Sequence, residues 1–295
     1  MKRSSKKAEA RRITFLVLRE AYLWFQVLLM IFPLVFMVLA SGKSQLEMAQ
    51  NPFGLPSSWG QFSANYQSVI TGLKDFYGQP VQFYTPYFTM IKNSAVLTLG
   101  GLVFLIVCAA PIGYVLGARD FPGKRPFMLF IIFIQTVPLF GYLIAFYYLM
   151  NNWNMMNNQL GICIIYAAVS MPSTIIYLKG FYQSFPREIE EAAKLDGAGE
   201  LQRYLQIVLP VSSSMLFAML LIQFMGYWNE YAITNMLTTK MSLKTVSITL
   251  MSTSEADYTY MMALLVLSAL PSLLFFTVFQ KRIINSNLTM GAIKG

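Results

Sequence analysis

The densest group of ionisable side chains in this 295-residue sequence lies between Ser184 and Pro210, in the stretch SFPREIEEAAKLDGAGELQRYLQIVLP. It combines Glu, Asp, Arg and Lys but contains no histidine, and the whole chain has none. The commonest general base and the commonest metal ligand are therefore both missing. No HExxH pattern occurs either, and Cys108 and Cys163 both lie inside apolar runs. We expect no catalytic or metal site in this chain.

A nucleotide site is also not expected. Gly42-Lys43-Ser44 resembles the end of a phosphate-binding loop, but Met37 stands where that pattern requires its first glycine. The sequence therefore predicts no cofactor bound by this chain.

The composition indicates that these charges belong to a membrane protein. Only 12% of residues are charged and 56% are apolar, whereas soluble domains contain about 25% charged residues. A hydrocarbon core about 30 Å thick requires roughly 20 apolar residues in a helix. Six runs free of Asp, Glu, Lys and Arg meet this requirement: Ala21–Ala40, Ser94–Leu116, Phe127–Met150, Leu160–Leu178, Pro210–Trp228 and Met261–Phe279. We predict an all-α polytopic protein with about six transmembrane helices.

The distribution of Lys and Arg predicts the orientation. Seventeen of the 22 basic residues lie in the N-terminal arm, the second and fourth loops and the tail, and five lie in the alternate loops. Basic residues accumulate in cytoplasmic loops, so both termini are predicted to be cytoplasmic. The first apolar run is longer than that of a signal peptide, which favours an uncleaved anchor.

None of the predicted spans contains an ionisable Asp, Glu, Lys, Arg or His. Transporters driven by protons or ions normally bury such residues within their spans as relays. The chain is therefore either passive, as a channel or membrane scaffold, or driven by a partner protein.

The charged stretch predicts two helices. Pro186 suits a first helical turn, and Glu188, Glu190 and Glu191 lie where the helix dipole favours carboxylates. Gly197 is a natural stop in the left-handed conformation. A second, amphipathic helix follows, with apolar residues at Leu201, Tyr204, Leu205, Val208 and Leu209. Periodicity alone leaves two interpretations open: a short helix that docks against another protein, or an amphipathic linker on the lipid surface.

The same stretch resembles a known signature. Glu191-Ala192-Ala193, three residues, Gly197, nine residues and then Ile207-x-Leu209-Pro210 match the cytoplasmic EAA signature of ABC importer permeases. Asp196-Gly197-Ala198, WNEYAITNML after the fifth run and the C-terminal NLTMGAIKG resemble the maltose and multiple-sugar (carbohydrate uptake) family, particularly its smaller permease subunit. The resemblance covers roughly residues 86–295 and does not extend to the long first outer loop.

The resemblance implies a type I ABC importer permease fold in the bacterial cell membrane. Its expected partners are a second, different permease chain, a cytosolic ABC ATPase dimer that binds ATP and Mg, and an extracytoplasmic sugar-binding protein; no nucleic acid is expected. The loop would couple to the ATPase through Glu190, Glu191, Ala192, Ala193, Lys194, Asp196 and Gly197. The tail would also contact the ATPase, through Gly291, Ala292, Lys294 and Gly295. The outer loop before the sixth span would contact the binding protein.

Three segments are predicted. Residues 1–93 form the cytoplasmic arm, the first span and a long outer loop, 94–282 form a five-helix permease core with the coupling loop at 184–210, and 283–295 form a cytoplasmic tail. Gln223, Tyr227, Trp228 and Asn229 could line a solute pathway at the outer part of the fifth span. The expected function is sugar import by a non-enzymatic subunit; the alternatives are a permease for a non-sugar solute and a passive channel or scaffold.

Overall fold

The structure is a computed structural model that describes the backbone of residues 2–72, 85–253 and 258–292. Side chains are described for residues 12–72, 85–253 and 258–280. The helices are α1 (Lys2–Ala40), α2 (Gln45–Gln50), α3 (Gly60–Thr71), α4 (Tyr87–Ala118), α5 (Lys124–Thr136), α6 (Leu139–Asn152), α7 (Gln159–Gln183), α8 (Arg187–Leu195), α9 (Glu200–Arg203), α10 (Leu209–Val211), α11 (Ser213–Trp228), α12 (Ala232–Leu237), α13 (Val246–Thr253) and α14 (Tyr258–Ala292). A π-helix joins α9 to α10 at Tyr204–Val208, and a 3₁₀ turn occupies Met241–Leu243.

The helices confirm the predicted all-α membrane fold. Four single helices are long and apolar enough to span a membrane, at Arg12–Ala40, Tyr87–Ala118, Gln159–Gln183 and Tyr258–Gln280. Two bent helix pairs raise the possible number of spans in the described part of the chain to six. Each of the six predicted runs overlaps one of these helices or pairs.

The third span is not the continuous helix that the run Phe127–Met150 suggested. Helices α5 and α6 meet at an angle of 98°. Val137 between them is extended, with φ −78° and ψ 121°. A residue before proline is disfavoured in the helical region, so Pro138 forces this break.

The fifth span also bends, by 69° at Ser212. The predicted start at Pro210 lies inside a helical segment that begins at Glu200. Pro210 has no N–H to donate to the carbonyl one turn before it. The preceding turn widens into the π-helix, where the N–H of Leu209 donates to the carbonyl of Tyr204. Such π segments are single-turn interruptions, frequent at functional sites.

Both terminal segments continue the neighbouring spans as helix. The basic arm belongs to α1, which starts at Lys2, and α14 runs as far as Ala292. Between Pro271 and Gly291 the sequence has no proline or glycine to end α14. The segment predicted as a separate tail at 283–295 is therefore helical over its described part.

The chain divides into two compact units, residues 1–71 with 253–269 and residues 72–252 with 270–295. In the second unit, α4 packs along α7 through small residues. A Cβ added at Gly113 would lie 2.6 Å from the Cβ of Leu178. A Cβ at Gly117 would lie 2.6 Å from the Cβ of Tyr182 and 2.8 Å from the carbonyl oxygen of Lys179. This GxxxG pair thus lies at a close contact between α4 and α7.

We predict that Gly117→Ala destabilises the second unit, because backbone atoms of α7 occupy the space that the new methyl group needs. Overpacking of this kind costs about 1–3 kcal/mol. The measurement is thermal unfolding of the purified chain in mild detergent. Gly180→Ala is the matched control, since nothing lies within 4 Å of its added Cβ. Equal melting temperatures for the two variants would contradict close α4–α7 packing.

Candidate functional site: the charged helix α8 and its supports

Helix α8 begins and ends where its sequence signals predict. Pro186 occupies the N-cap position, Glu188 and Glu190 lie in the first turn and Lys194 lies in the last. Gly197 is left-handed, with φ +85°. Its N–H donates to the carbonyl of Lys194 at 3.1 Å, and the N–H of Ala198 donates to that of Ala193 at 3.0 Å. This pair of bonds is the Schellman motif, which satisfies carbonyls at a helix end and favours glycine.

The two faces of α8 have different environments. Glu190 and Ala193 face the protein and are only 5% and 8% exposed. The opposite face is open and carries Glu191, Ala192, Lys194, Leu195 and Asp196. Leu195 is 89% exposed, although it is a large apolar residue. We refer to these five residues as the outward face of α8. Of the seven predicted coupling residues, four therefore belong to the outward face, two face the protein, and Gly197 ends the helix.

The inward carboxylate of Glu190 joins α8 to the end of α4. Its Oε2 accepts hydrogen bonds from the Tyr114 hydroxyl at 2.7 Å and from Arg119 Nη2 at 2.6 Å. Tyr114 belongs to α4 and is 4% exposed, and Arg119 is the residue that follows α4. The Arg119 guanidinium also lies 5.1 Å from the centre of the Tyr114 ring. A buried carboxylate is tolerable only when it is paired and hydrogen-bonded in this way.

Two further charges extend this group, which we call the α8 clamp: Tyr114, Arg119, Glu190, Glu200 and Arg203. Arg119 reaches Glu200 at 3.2 Å, and Glu200 pairs with Arg203 at 2.6 Å. Arg203 is 6% exposed, and its Nε has no hydrogen-bond partner within the described part of the chain. Two acids and two bases thus balance in formal charge. The clamp connects α4, α8 and α9.

The pKa of Arg119 reflects these contacts. Partial burial lowers it, but the hydrogen bond from Arg119 to Glu190 and the negative charges nearby outweigh burial, so the pKa is raised above the usual arginine value. Arg119 therefore stays charged at any physiological pH, and the clamp does not act as a pH switch through this residue.

Aromatic rings support the clamp from the membrane side. The Tyr114 ring lies 5.5 Å from Tyr182 of α7 and 5.2 Å from Tyr204 of the π-helix. The Tyr182 hydroxyl lies 3.0 Å from the Ser212 hydroxyl, at the bend of the fifth span. Tyr114, which holds Glu190 of α8, is therefore in contact with α7 and with the π-helix before the fifth span.

On the other side of the second unit, hydrogen bonds hold the loop that follows the fifth span. Asn157 Oδ1 accepts from the N–H groups of Thr239 and Lys240, at 2.7 and 2.9 Å. Asn93 Nδ2 donates to the carbonyls of Ser242 and Lys244, at 2.8 and 3.0 Å. The loop is thus fixed to α4 and to the turn before α7.

Glu230 fixes the start of the same loop. Its Oε1 accepts the N–H of Ile233 at 2.6 Å, and its Oε2 accepts that of Thr234 at 3.1 Å. The hydroxyl of Tyr166 also donates to Oε2, at 2.9 Å. Sequence reasoning did not single out Glu230 or Asn157. A carboxylate three residues before a helical N–H group is the signal for Glu230, whereas the Asn157 contact joins residues 82 positions apart and leaves no local signal.

The four predicted pathway residues do not surround one space. Tyr227 and Trp228 are each 6% exposed. Tyr227 donates to the carbonyl of Tyr166 at 2.8 Å, and the Trp228 ring stacks on Phe224. Both side chains are core residues here, which does not support their proposed contact with solute. Gln223 bonds Thr174 at 3.4 Å and Asn229 bonds the carbonyl of Met225, so these two stay predictions.

A cleft of about 510 Å³ lies at the break between α5 and α6. It is lined by apolar residues, with Gln135 and Tyr142 as its main hydrogen-bonding side chains. Sugars need many hydrogen bonds, so this cleft alone is not a sugar site. No group of three or more His, Cys, Asp or Glu side chains that could hold a metal occurs among the described residues. Of the predicted tail contacts, Gly291 and Ala292 end α14, and Lys294 and Gly295 lie outside the described residues.

Comparisons with known proteins connect this arrangement with transport. The sequence model of the family described as binding-protein-dependent transport system inner membrane component matches residues 109–286. The diacetylchitobiose uptake system permease protein NgcG of Streptomyces coelicolor is 28% identical over 92% of this chain and 87% of its own length. The maltodextrin transport system permease protein MdxG of Bacillus subtilis is 31% identical over 72% of this chain and 77% of its own length.

A solved structure shares the fold. A chain of a bacterial ABC transporter involved in the import of the acidic polysaccharide alginate superposes with a TM-score of 0.75, covering 90% of this chain and 95% of that one. Its sequence identity is 22%, so the likeness extends to the fold.

The two adjacent glutamates of α8 should respond differently to substitution. Glu190→Ala leaves Arg119 and Arg203 with one carboxylate in place of two, and removing one partner of a buried ion pair costs about 3–5 kcal/mol. Because Arg119 is partly exposed, we expect about 2 kcal/mol of destabilisation. Glu191→Ala, on the open face, should change stability by less than about 0.5 kcal/mol.

Thermal unfolding in detergent and the rate of proteolysis within residues 184–210 measure this difference. The clamp is refuted if Glu190→Ala and Glu191→Ala unfold at the same temperature and are cleaved at the same rate.

Proposed function

The chain belongs to the family of binding-protein-dependent transport system inner membrane components, and from that premise we propose that it is a permease subunit of an ATP-driven importer of sugars or oligosaccharides. The observation that carries the proposal is the geometry of α8. A charged helix stands with one face open, while its other face is joined to the membrane helices by a buried carboxylate.

The sugar assignment draws on the relatives. Proteins named for the uptake of diacetylchitobiose, maltodextrin and arabinooligosaccharides are each 25–31% identical to this chain. They cover between 72% and 92% of it. Such solutes share a polyhydroxylated ring, so the pathway of the assembled importer would need hydrogen-bonding groups. The partner permease would supply part of them, since the described cleft at Gln135 and Tyr142 is mostly apolar.

The energy would come from a cytosolic ABC ATPase dimer, which would bind ATP and Mg, and this chain would perform no chemistry itself. The outward face of α8 suits a cleft in that partner. Leu195 offers an exposed apolar contact and the small side chain of Ala192 allows close approach. Glu191, Lys194 and Asp196 offer charges on either side. Exposed apolar residues rimmed by polar ones are typical of protein-binding surfaces.

The α8 clamp supplies the path by which the ATPase would move the membrane helices. A push on α8 would reach α4 directly through Glu190, Tyr114 and Arg119, and not only through the chain connections at Pro186 and Gly197. Because α4 and α7 are in close contact at Gly113 and Gly117, they would move as one body. The bend at Ser212 would absorb the change in angle. This is rigid-body switching between inward-open and outward-open states.

On the opposite side, the loop of residues 229–246 would contact an extracytoplasmic sugar-binding protein. Its bonds to Asn157, Asn93 and Glu230 would keep it in one conformation and so reduce the entropy lost on docking. The importer would lie in the bacterial cell membrane as a multi-pass protein. Its pore would be completed by a second permease chain.

The proposal predicts that the intact importer, purified in mild detergent, retains a cytosolic ATPase. Leu195→Asp and Glu191→Lys should each lower the recovered ATPase by about tenfold or more, since truncation or reversal of a central contact costs at least about 1.4 kcal/mol of binding free energy. The measurement is quantitative mass spectrometry of the co-purified proteins. Glu20→Lys is the matched charge-reversal control, because Glu20 is an exposed residue of α1.

Two outcomes would count against the proposal. If no ATPase co-purifies with an intact wild-type bundle, the chain is a passive channel or scaffold. If the ATPase co-purifies equally with the wild type and both α8 variants, the ATPase docks elsewhere.

A further inference from the structure

The segment that follows α1 forms a small folded body, which we call the outer segment: residues 41–72. The Asn65 side chain donates to the carbonyls of Ser41 and Lys43, both at 2.9 Å. The hydroxyls of Ser41 and Tyr66 lie 3.0 Å apart. These bonds fold α3 back onto the end of α1. The outer segment therefore has a defined position relative to the outer end of that helix.

The outer segment presents almost no charge. Its ionisable residues are Lys43 and Glu47. Lys43 is fully buried, and its ammonium donates to the carbonyls of Asn51 and Pro52 at 2.7 and 2.8 Å. The Glu47 carboxylate accepts the N–H of Ser57 at 2.6 Å. A lysine normally stays in contact with water. Because Lys43 is buried, its charge does not prevent the surface of the outer segment from contacting an apolar environment.

Large apolar side chains make up much of the exposed surface, beside the exposed polar residues Gln45, Gln50, Asn51, Ser57 and Ser58. Four of these apolar side chains are between 68% and 77% exposed: Leu46, Phe53, Leu55 and Trp59. We call these four the outer apolar patch. The polar residues Ser63 and Gln67 of α3 are also exposed, so the segment has both apolar and polar surfaces. A loop that faces water would not normally expose four such side chains within 14 residues.

The depth of the patch follows from its contact with α1. Residues 21–40 are about 30 Å long as a helix, which matches the hydrocarbon core and places its outer edge near Ala40. Phe36 lies about 6 Å inside that edge, and helical side chains lean toward the N-terminus, here toward the bilayer centre. The rings of Phe36 and Phe53 are 5.4 Å apart. Phe53 must therefore lie at or inside the edge of the hydrocarbon.

The patch also continues the surface of a membrane helix. The rings of Phe32 and Phe36 are 6.4 Å apart and are followed by Phe53. Only 6% of the apolar window of α1 is buried in the protein, so its surface is available to acyl chains. Trp59 stacks on Phe62 at 5.4 Å and remains 76% exposed. Tryptophan is enriched at the level of lipid head groups.

We propose that the outer segment is a membrane-interface anchor, in which the outer apolar patch lies in the outer leaflet and fixes the outer end of α1 at the bilayer surface. Lipid is the occupant that fits best, because Phe53 is at hydrocarbon depth and the only charge left at the surface of the segment is the half-buried, hydrogen-bonded Glu47. The anchor is independent of the importer function. It gives a role to the outer loop that the family resemblance leaves out.

Trp59 is a built-in probe of this proposal. The full chain with Trp24→Phe, Trp153→Phe and Trp228→Phe keeps Trp59 as its single tryptophan. It is placed in vesicles of phosphatidylcholine and phosphatidylglycerol. Its fluorescence is then quenched either by lipids brominated near the head-group end or near the methyl end of the acyl chain, or by iodide on both sides of the vesicle. We expect about twofold stronger quenching by the shallow bromines than by the deep ones, and weak quenching by iodide.

A matched control moves the probe to the polar surface of α3. The variant with Trp59→Phe and Gln67→Trp in the same background should be quenched by iodide and not by brominated lipid. If replacement of the buried Trp228 prevents folding, the difference in quenching between the wild type and Trp59→Phe gives the same quantity.

Quenching of Trp59 by iodide without quenching by brominated lipid would overturn the proposal, since the segment would then stand in water. Protection of Trp59 from both quenchers would also overturn it, because protein would then cover the patch. Because no ATPase or binding protein is needed, the result is independent of whether the importer assignment holds.

Discussion

The buried carboxylate of Glu190 is the interaction on which the arrangement of the predicted cytoplasmic side depends. An unpaired carboxylate at 5% exposure would cost several kcal/mol, so α8 can pack against the bundle only where Tyr114 and Arg119 are available. This requirement sets the orientation of α8, and thereby which of its residues face outward. Because Glu190 faces the protein, the neighbouring Glu191 faces outward and is available for contact with a partner. Charge pairing here fixes geometry more than it adds stability.

The close packing of α4 against α7 determines which membrane helices would move together with the clamp. Helices that are separated by bulky side chains can slide, whereas those held at glycine contacts at Gly113 and Gly117 have little freedom to do so. A displacement of α8 is then shared by two spans. The fifth span responds differently, because it is interrupted by a π-helix and a 69° bend. The fold thus combines a closely packed helix pair with an interrupted span, an arrangement that suits the proposed switching between two states.

Much of this fold follows from sequence. Apolar runs predict the six spans because lipid imposes a fixed helix length, and Gly197 predicts the end of α8 because its left-handed conformation favours glycine. The break at Pro138 was not predicted, because the residues on both sides of it are apolar. The only sign of it in the sequence is that Val137 precedes a proline, which disfavours the helical conformation at Val137. The inward direction of Glu190 was also missed. It depends on Arg119, 71 positions away, and nothing in a helical pattern of three glutamates says which one is buried.

The site was predicted less completely than the fold because it, too, depends on contacts between residues that are far apart in the sequence. Local signals located the charged loop but treated its residues as one surface, whereas the structure separates a clamp from an outward face. The placement of Tyr227 and Trp228 along a solute pathway stays a prediction. Amphipathic aromatic residues near the end of a span suit a pathway or a core equally well. Within this chain they pack against Tyr166 and Phe224, as core residues do.

In the proposed mechanism, force from an ATPase passes through Glu190 into the membrane helices. The most direct measurement is the number of ATP molecules hydrolysed per sugar molecule imported, with the complete importer in proteoliposomes, for the wild type and for Glu190→Gln. Glutamine keeps the shape of the side chain but removes the charge that holds Tyr114 and Arg119. The account predicts that ATP hydrolysis continues while import falls, so that the ratio rises severalfold. An unchanged ratio would contradict it, because transport would then be coupled without the clamp.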